Sequence, residues 1–275
     1  MPIASIEDLR RAFVCGHHRR VPPPLAVAAV DGEGREEAGH ARQQSALPVD
    51  VATDHHPRSR LTVRLTLPSV RDVTARVAVL ASGAGTNLQA LLDDPVVGPW
   101  VVLAISDRAG AGALDRARAR SVEAVHIDPA AFGDRAAFDH AMVEILRDRA
   151  IDVVALAGYM RIVGPELVGA FPDRILNVHP ALLPAFPGTS AVADALAWGV
   201  KVTGVTVHLV DEEVDHGPVV LQEAIEVRPD EDPDALEERI HEVEHRLLPA
   251  AVRALGEGRL VVDGRTVRVV RAAPR

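Results

Sequence analysis

The sequence predicts an α/β fold, with an open, mostly parallel twisted sheet and helices on both faces. From Arg76 onward, short apolar runs alternate with segments whose apolar residues recur at helical spacing, a pattern typical of βαβ units. Runs such as VVALA are continuously apolar, which suits parallel strands that helices cover on both sides. Both observations favour one layered α/β domain.

The predicted elements follow one another in a regular order. The predicted strands are rich in Val, Leu, Ile and Ala. They are RVAVLA, WVVLAIS, VEAVHI, IDVVALAG, RILNV and VKVTGVTVHLV. Apolar residues at helical spacing predict helices in LQALLDD, GALDRARARS, DRAAFDHAMVEILRDRA and AVADALAWG. A long helix is predicted for DPDALEERIHEVEHRLLPAAVRAL, with Pro233 in the first turn, where no N–H is needed. LVVDGRTVRVV predicts a hairpin that turns at Asp263-Gly264.

Residues 1 to about 75 differ from the rest of the chain. They are rich in Pro, Arg, His and Gly, and their apolar residues show no sustained period, so we predict a poorly ordered N-terminal extension over 1–75. The pairs His17-His18 and His55-His56 suggest a metal site, but solvated coil is the simpler interpretation.

Composition excludes several classes of protein. The 275-residue chain has a net charge of -9, which argues against a nucleic-acid partner. Cys15 is the single cysteine, so a disulfide framework is excluded. No apolar run approaches the roughly 18 residues that span a membrane, and the N-terminus lacks the apolar segment of a secretory signal. We expect a cytoplasmic protein without a membrane or nucleic-acid partner.

The glycine-rich segment SGAGTN links the first strand directly to a helix. Free backbone N–H groups and the positive end of a helix dipole make such a turn an anion site. The segment lacks the Gly-Lys-Ser/Thr of a nucleoside-triphosphate loop, and Leu88 stands where a dinucleotide motif has its third glycine. We predict a single phosphate on Gly85, Thr86 and Asn87; the alternative is a tight turn that Asn87 caps.

A second polar motif ends the strand RILNV, where Asn177 is followed two positions later by His179. Side chains two apart in an extended chain share a face, so both groups should aim at one point. We expect Asp215 to lie near His179, raise its pKa and favour the imidazolium, which with a carboxamide donor suits an oxyanion. The alternative is that Asn177 caps a loop and His179 is structural. Ligands of such sheets bind beyond the carboxyl ends of the strands, so this motif and SGAGTN should face one crevice.

No serine or cysteine stands in a recognisable nucleophile elbow. The attacking group is therefore predicted to belong to a substrate.

Four segments together resemble the phosphoribosylglycinamide formyltransferase family: ASGAGTNLQALL, DVVALAGYMRIV, RILNVHPALLPAFPG and GVKVTGVTVHLVDEEVDHGPVVLQ. The resemblance runs in order from about Arg76 to Gly258. It implies a Rossmann-like formyltransferase domain over 76–275. It also implies formyl transfer from the co-substrate 10-formyltetrahydrofolate to the amine of glycinamide ribonucleotide in de novo purine biosynthesis, with small-molecule substrates, no metal, and a monomer or homodimer.

The resemblance also implies roles for single residues. Asn177 and His179 would hydrogen-bond the oxyanion of a tetrahedral intermediate, and Asp215 would support the His179 charge and relay a proton through water. Substrate-binding residues would be Gly85, Thr86 and Asn87 at the phosphate, Glu244 at the ribose, and Arg135 on the substrate or cofactor side. The folate would be held by Met160, Arg161, Ile162, Val163, Val210 and Asp211, with residues 210–215 as a loop that closes over it. Thr189-Ser190 departs from the family, which usually carries a histidine there.

Other functions stay open at this point. HEVEH, residues 241–245, satisfies the zinc-protease helix motif and suggests a metallohydrolase. A formyltetrahydrofolate deformylase would share the Asn-x-His-Pro and Asp elements but use water as the acceptor. A methionyl-tRNA formyltransferase would need a basic RNA-binding domain, and a non-catalytic phosphate-binding module would not need an oxyanion site.

Overall fold

The computed structural model describes residues 75–271. The predicted N-terminal extension, with Cys15 and its histidine pairs, lies outside the described residues. Within residues 75–271, no helix combines the length and apolar character that crossing a bilayer requires.

Nine strands and six α-helices make up the described part of the chain. The strands are β1 Val77–Leu80, β2 Val101–Ser106, β3 Glu123–His126, β4 Val153–Leu156, β5 Ile175–His179, β6 Val202–Leu209, β7 Val219–Glu226, β8 Leu260–Asp263 and β9 Thr266–Val269. The helices are α1 Thr86–Asp93, α2 Gly112–Ala119, α3 Arg135–Asp148, α4 Pro165–Ala170, α5 Ala191–Trp198 and α6 Pro233–Gly256. Short 3-10 turns occupy Gly98–Trp100 and Pro129–Ala131.

All strands belong to one sheet with the order β3-β2-β1-β4-β5-β6-β7-β9-β8. Strands β1 to β5 are parallel, β6 runs antiparallel to both β5 and β7, and β9 runs parallel to β7 and antiparallel to β8. The predicted α/β fold with an open, mostly parallel sheet is therefore confirmed. The hairpin of β8 and β9 is also confirmed, but its turn is Gly264-Arg265, one residue later than predicted.

The sheet is covered on both faces, as the continuous apolar runs predicted. Val77 and Val79 of β1 lie in one core cluster with Leu88 and Leu91 of α1. Ala78 and Leu80 point to the other face, into a second cluster with Met142 and Leu146 of α3. Each large side chain buried in this way contributes roughly 1.5–3 kcal/mol to folding.

Two elements were not predicted from the sequence. Strand β7 alternates between covered and exposed residues along VVLQEAIE, so it lacks the continuous apolar run of the other strands. Helix α4 spans six residues, too few to establish a helical period. Strand β7 matters for the site because it closes the loop that follows β6.

Candidate active site

Asn177, His179 and Asp215 come together at the carboxyl end of β5. The Nδ2 of Asn177 donates to Oδ1 of Asp215 at 3.3 Å, and Nδ1 of His179 lies 3.3 Å from Oδ2 of the same carboxylate. Asn177 and His179 share a face of β5, as their spacing predicts. Both line a cleft of about 200 Å³ together with Asp215.

The protonation of His179 differs from the prediction. Burial lowers its pKa below the ordinary value, although Asp215 and the Phe186 carbonyl both act to raise it. His179 is only 3% exposed, so the loss of water outweighs the attraction of one nearby carboxylate. Asp215 therefore acts in the predicted direction, but the expected imidazolium is wrong for the free protein, because burial lowers the net pKa of His179 and the neutral imidazole is preferred. Its Nε2 donates to the Phe186 carbonyl at 2.8 Å.

His208 completes this cluster and was not predicted from the sequence. It lies opposite Asn177 in the antiparallel pairing of β5 and β6. Its Nε2 lies 3.1 Å from Nδ2 of Asn177 and 3.6 Å from Asp215, while its Nδ1 donates to the Leu209 carbonyl. Nothing in TVHLV distinguishes His208 from a core residue; only strand register brings it to the site.

Asp215 is held as a carboxylate by its surroundings. Burial alone would raise its pKa, but His208, the Gly188 N–H and the charge interaction with His179 together lower it below the ordinary value. The Gly188 N–H donates to Oδ2 at 2.7 Å. A buried carboxylate that accepts hydrogen bonds from its neighbours can take up or pass on a proton during a reaction.

The rest of the cleft is mainly apolar and open to solvent at one edge. The residues predicted to hold the folate all line it: Met160, Arg161, Ile162, Val163, Val210 and Asp211. Met160 and Ile162 are 55% and 58% exposed although both side chains are large and apolar. Exposed apolar side chains beside a buried polar cluster are typical of a ligand site.

Arg135 contacts the segment of residues 160–163 from outside the cleft. It is the first residue of α3, and its Nη2 donates to the Ile162 carbonyl at 2.9 Å. Asp139, one turn later and 5% exposed, lies 3.6 Å from Nε of Arg135. Arg135 does not line the cleft itself but contacts the backbone of Ile162, which does.

The glycine-rich segment forms the N-terminus of α1. Gly85 has φ 77, and a Cβ at this position would lie 2.6 Å from the backbone of Ala113, so the turn requires glycine. Asn87 does not cap the helix; its Nδ2 donates to Glu244 at 2.8 Å. Thr86 lines a groove of about 650 Å³ with Arg116 and other residues, a different cavity from the cleft at Asn177. Thr86 and Asn177 therefore line two separate cavities in this structure, and not the single crevice that was predicted.

Asn87 and Glu244 form a buried polar pair between α1 and α6. Oδ1 of Asn87 is buried and has no hydrogen-bond partner among the residues that the structure describes. Burial raises the pKa of Glu244, and the hydrogen bond from Asn87 opposes this. Since buried polar atoms are nearly always paired, an open acceptor beside a carboxyl group is suited to a ligand hydroxyl.

A family model described as formyl transferase matches residues 75–252. This chain belongs to the formyl transferase family. A phosphoribosylglycinamide formyltransferase of Mycobacterium tuberculosis is 46% identical over 198 residues, which cover 72% of this chain and 92% of that protein. The crystal structure of glycinamide ribonucleotide transformylase 1 from Symbiobacterium toebii is 50% identical, with a TM-score of 0.71 over 73% of this chain and 96% of that one. A Bacillus subtilis phosphoribosylglycinamide formyltransferase is 40% identical over 66% of this chain and 94% of that protein.

A buried serine that was not predicted as a site residue connects three loops of the formyl transferase domain. Ser82, two residues after the end of β1, is 2% exposed. Its hydroxyl donates to Asp107 at 2.6 Å and accepts from the Met160 N–H at 2.9 Å. It thereby connects the loops after β1, β2 and β4. The signal available in the sequence was a serine directly after an apolar strand.

The HEVEH segment lies on α6, where the rings of His241 and His245 stack at 6.0 Å. Among residues 75–271, no group of three His, Cys, Asp or Glu side chains is placed to hold a metal ion. Glu244, between the two histidines in the sequence, accepts a hydrogen bond from Asn87. The zinc hydrolase and deformylase alternatives find no support among the formyl transferase relatives.

The departure at Thr189-Ser190 lies next to the cluster. Thr189 lines the cleft, and Ser190 precedes α5 without capping it through its side chain. The contact to Asp215 comes from the Gly188 backbone, so it does not depend on the side chains that follow.

Proposed function

We propose that this formyl transferase moves the formyl group of 10-formyltetrahydrofolate to the amine of glycinamide ribonucleotide, a step of de novo purine biosynthesis. The observation that carries the proposal is the convergence of Asn177, His179 and Asp215 in a cleft with an exposed apolar edge. The names of the relatives, phosphoribosylglycinamide formyltransferase and glycinamide ribonucleotide transformylase, support the choice of acceptor.

In the proposed reaction, the amine nitrogen attacks the formyl carbon, and the carbonyl electron pair moves to the formyl oxygen. Collapse of this intermediate breaks the bond between carbon and N10 of the folate, and one proton passes from the amine to N10. The products are formylglycinamide ribonucleotide and tetrahydrofolate. The enzyme supplies orientation, oxyanion stabilisation and a proton path.

Asn177 and His179 are the proposed oxyanion donors. In this structure their N–H groups contact His208, Asp215 and the Phe186 carbonyl, so the formyl oxygen must replace one of these acceptors. Negative charge on that oxygen raises the pKa of a neighbouring imidazole. His179, neutral in the free protein, would therefore gain its positive charge as the intermediate forms.

Asp215 is the proposed proton carrier. Its lowered pKa keeps it ionised at neutral pH, ready to accept a proton from the amine through a water molecule. The carboxylate lies 3.3 Å from Nδ1 of His179, so it also stabilises the imidazolium once that forms.

The folate is assigned to the cleft at Asn177, and the ribonucleotide to the start of α1 and the neighbouring pair of Asn87 and Glu244. The folate ring would lie against Met160, Arg161, Ile162 and Val163, with Arg135 behind this edge and Val210 and Asp211 on the opposite side. The ribonucleotide phosphate would bind the N–H groups of Gly85, Thr86 and Asn87 at the start of α1. The ribose hydroxyls would bind the buried pair of Asn87 and Glu244. A cytoplasmic protein, monomeric or homodimeric, remains the expectation.

The decisive experiment follows folate absorbance with purified protein and 10-formyltetrahydrofolate, with and without glycinamide ribonucleotide. Deformylated folate that appears only with the ribonucleotide supports the proposal. Deformylation that releases formate without the ribonucleotide would contradict it and indicate a deformylase. No turnover under either condition would refute formyl transfer to this acceptor.

A further inference from the structure

The loop between β6 and β7 carries Asp215 together with Val210 and Asp211. The base of the loop is fixed by backbone hydrogen bonds. Val210 N–H donates to the Ile175 carbonyl at 2.9 Å, and Leu209 N–H donates to the Pro218 carbonyl at 2.9 Å. Between these two points, the position of Asp215 depends on contacts that the loop makes with neighbouring segments.

Asp215 has φ 53, in the left-handed region that residues with a side chain rarely adopt. The next residues are also confined, because a Cβ at Gly217 would lie 1.8 Å from the Leu209 carbonyl oxygen. A backbone held in an unfavourable conformation needs contacts on either side to keep it there. Gly188 supplies one contact, to the Asp215 carboxylate.

The contact on the other side comes from Arg265, in the turn between β8 and β9. Its Nη2 donates to the carbonyl of His216, directly after Asp215, at 2.7 Å. Its Nη1 lies 3.1 Å from Nε2 of the His216 ring. His216 Nδ1 in turn lies 2.8 Å from Asp211, whose other carboxylate oxygen accepts the Glu213 N–H. Arg265 thereby contacts His216 directly and is linked to Asp211 through the His216 ring.

The sheet sets the distance between the hairpin and the loop. Val219 of β7 pairs with Thr266 of β9, so the residues that precede each strand, His216 and Arg265, lie close together. The family model matches residues 75–252, so the hairpin lies outside the segment that the model matches. A residue outside the matched segment therefore contacts the loop that carries Asp215.

We propose that Arg265 is a positioning residue, which holds the loop of residues 210–216 so that Asp215 faces His179 and Val210 and Asp211 face the folate. The part that concerns the folate rests on the proposed function. Arg265 acts through His216 and touches neither substrate.

The kinetic test compares Arg265→Ala with Arg268→Ala. Arg268 lies on the same hairpin, carries the same charge and, among the described residues, makes no hydrogen bond to the loop. We expect Arg265→Ala to lower kcat/KM for 10-formyltetrahydrofolate about tenfold, with the KM for the ribonucleotide and the melting temperature unchanged. Arg265→Lys, which still donates a hydrogen bond, should recover part of the loss. Equal kinetics for the two alanine variants would overturn the proposal.

A second measurement tests the same role without relying on turnover. Amide hydrogen exchange of peptides that cover residues 210–216 should be faster in Arg265→Ala than in wild type or Arg268→Ala, because the loop loses its outer anchor. Unchanged exchange in this loop would refute the positioning role even if the protein transfers formyl groups. Faster exchange in a protein without transfer activity would support the anchor and refute the proposed function instead.

Discussion

Replacing Asp215 with Asn tests the central cluster most directly. The change keeps the shape of the side chain and an acceptor for the Gly188 N–H, so the fold should survive. It removes the negative charge 3.3 Å from His179. The new amide N–H can also donate to Nδ1 of neutral His179, which fixes the imidazole in its uncharged form.

The expected loss follows from this distance. A unit charge pair at 3.3 Å with an effective dielectric constant near 20 interacts by about 5 kcal/mol. If the imidazolium forms only in the intermediate, the Asp215→Asn variant loses most of this interaction energy in the transition state. We therefore expect kcat to fall about 10³-fold, since 1.36 kcal/mol corresponds to tenfold, while both KM values change little.

The assay follows the folate product spectroscopically at saturating concentrations of both substrates. Asp148→Asn, which alters an exposed carboxylate at the end of α3, is the matched control and should be fully active. Turnover by Asp215→Asn within tenfold of wild type would refute both the charge argument and the proton-carrier role. A melting temperature well below that of wild type would indicate that the loss of activity comes from misfolding. Melting temperature and turnover are therefore measured on the same preparation.

Three further predictions concern the neighbouring residues. Gly85→Ala should destabilise the protein by about 2–4 kcal/mol in urea unfolding, because the Cβ meets the Ala113 backbone and φ is positive, whereas Gly83→Ala, with nothing within 4 Å, should be nearly neutral. Glu244→Gln should raise the KM for the ribonucleotide about tenfold with little change in kcat; an unchanged KM would rule out ribose binding there. Since the pKa of His179 is below 6.5 in the folded protein, unfolding takes up a proton there. Stability should therefore fall as the pH drops below about 6.5 and less steeply in His179→Gln, and parallel pH profiles would contradict this.

Much of the fold could be predicted because its signals are local. Each buried parallel strand is a short apolar run, and each covering helix shows its period within its own segment. Strand β7 was missed because one of its faces is largely exposed, so it has no continuous apolar run. Its identity depends on pairing with β6, which the segment alone does not encode.

The candidate site divides in the same way. Asn177 and His179 could be paired from the sequence because alternation along one strand fixes their common face. Asp215 was placed through its motif and the family resemblance, while its contact with His179 depends on the loop after β6. His208 and Arg265 carried no local signal; strand register brings the first to Asn177 and the second to His216.

The sequence by itself determined most of the strands and helices along the chain, the glycine turn before α1 and the residue types at the strand ends, because backbone preference and side-chain alternation act within a few residues. Only the tertiary structure decided the charge of His179. The carboxylate next to His179 could be predicted, but the extent of His179 burial could not, and burial has the larger effect on the pKa of His179. Desolvation depends on every chain segment that excludes water from a group, so no single motif can encode it.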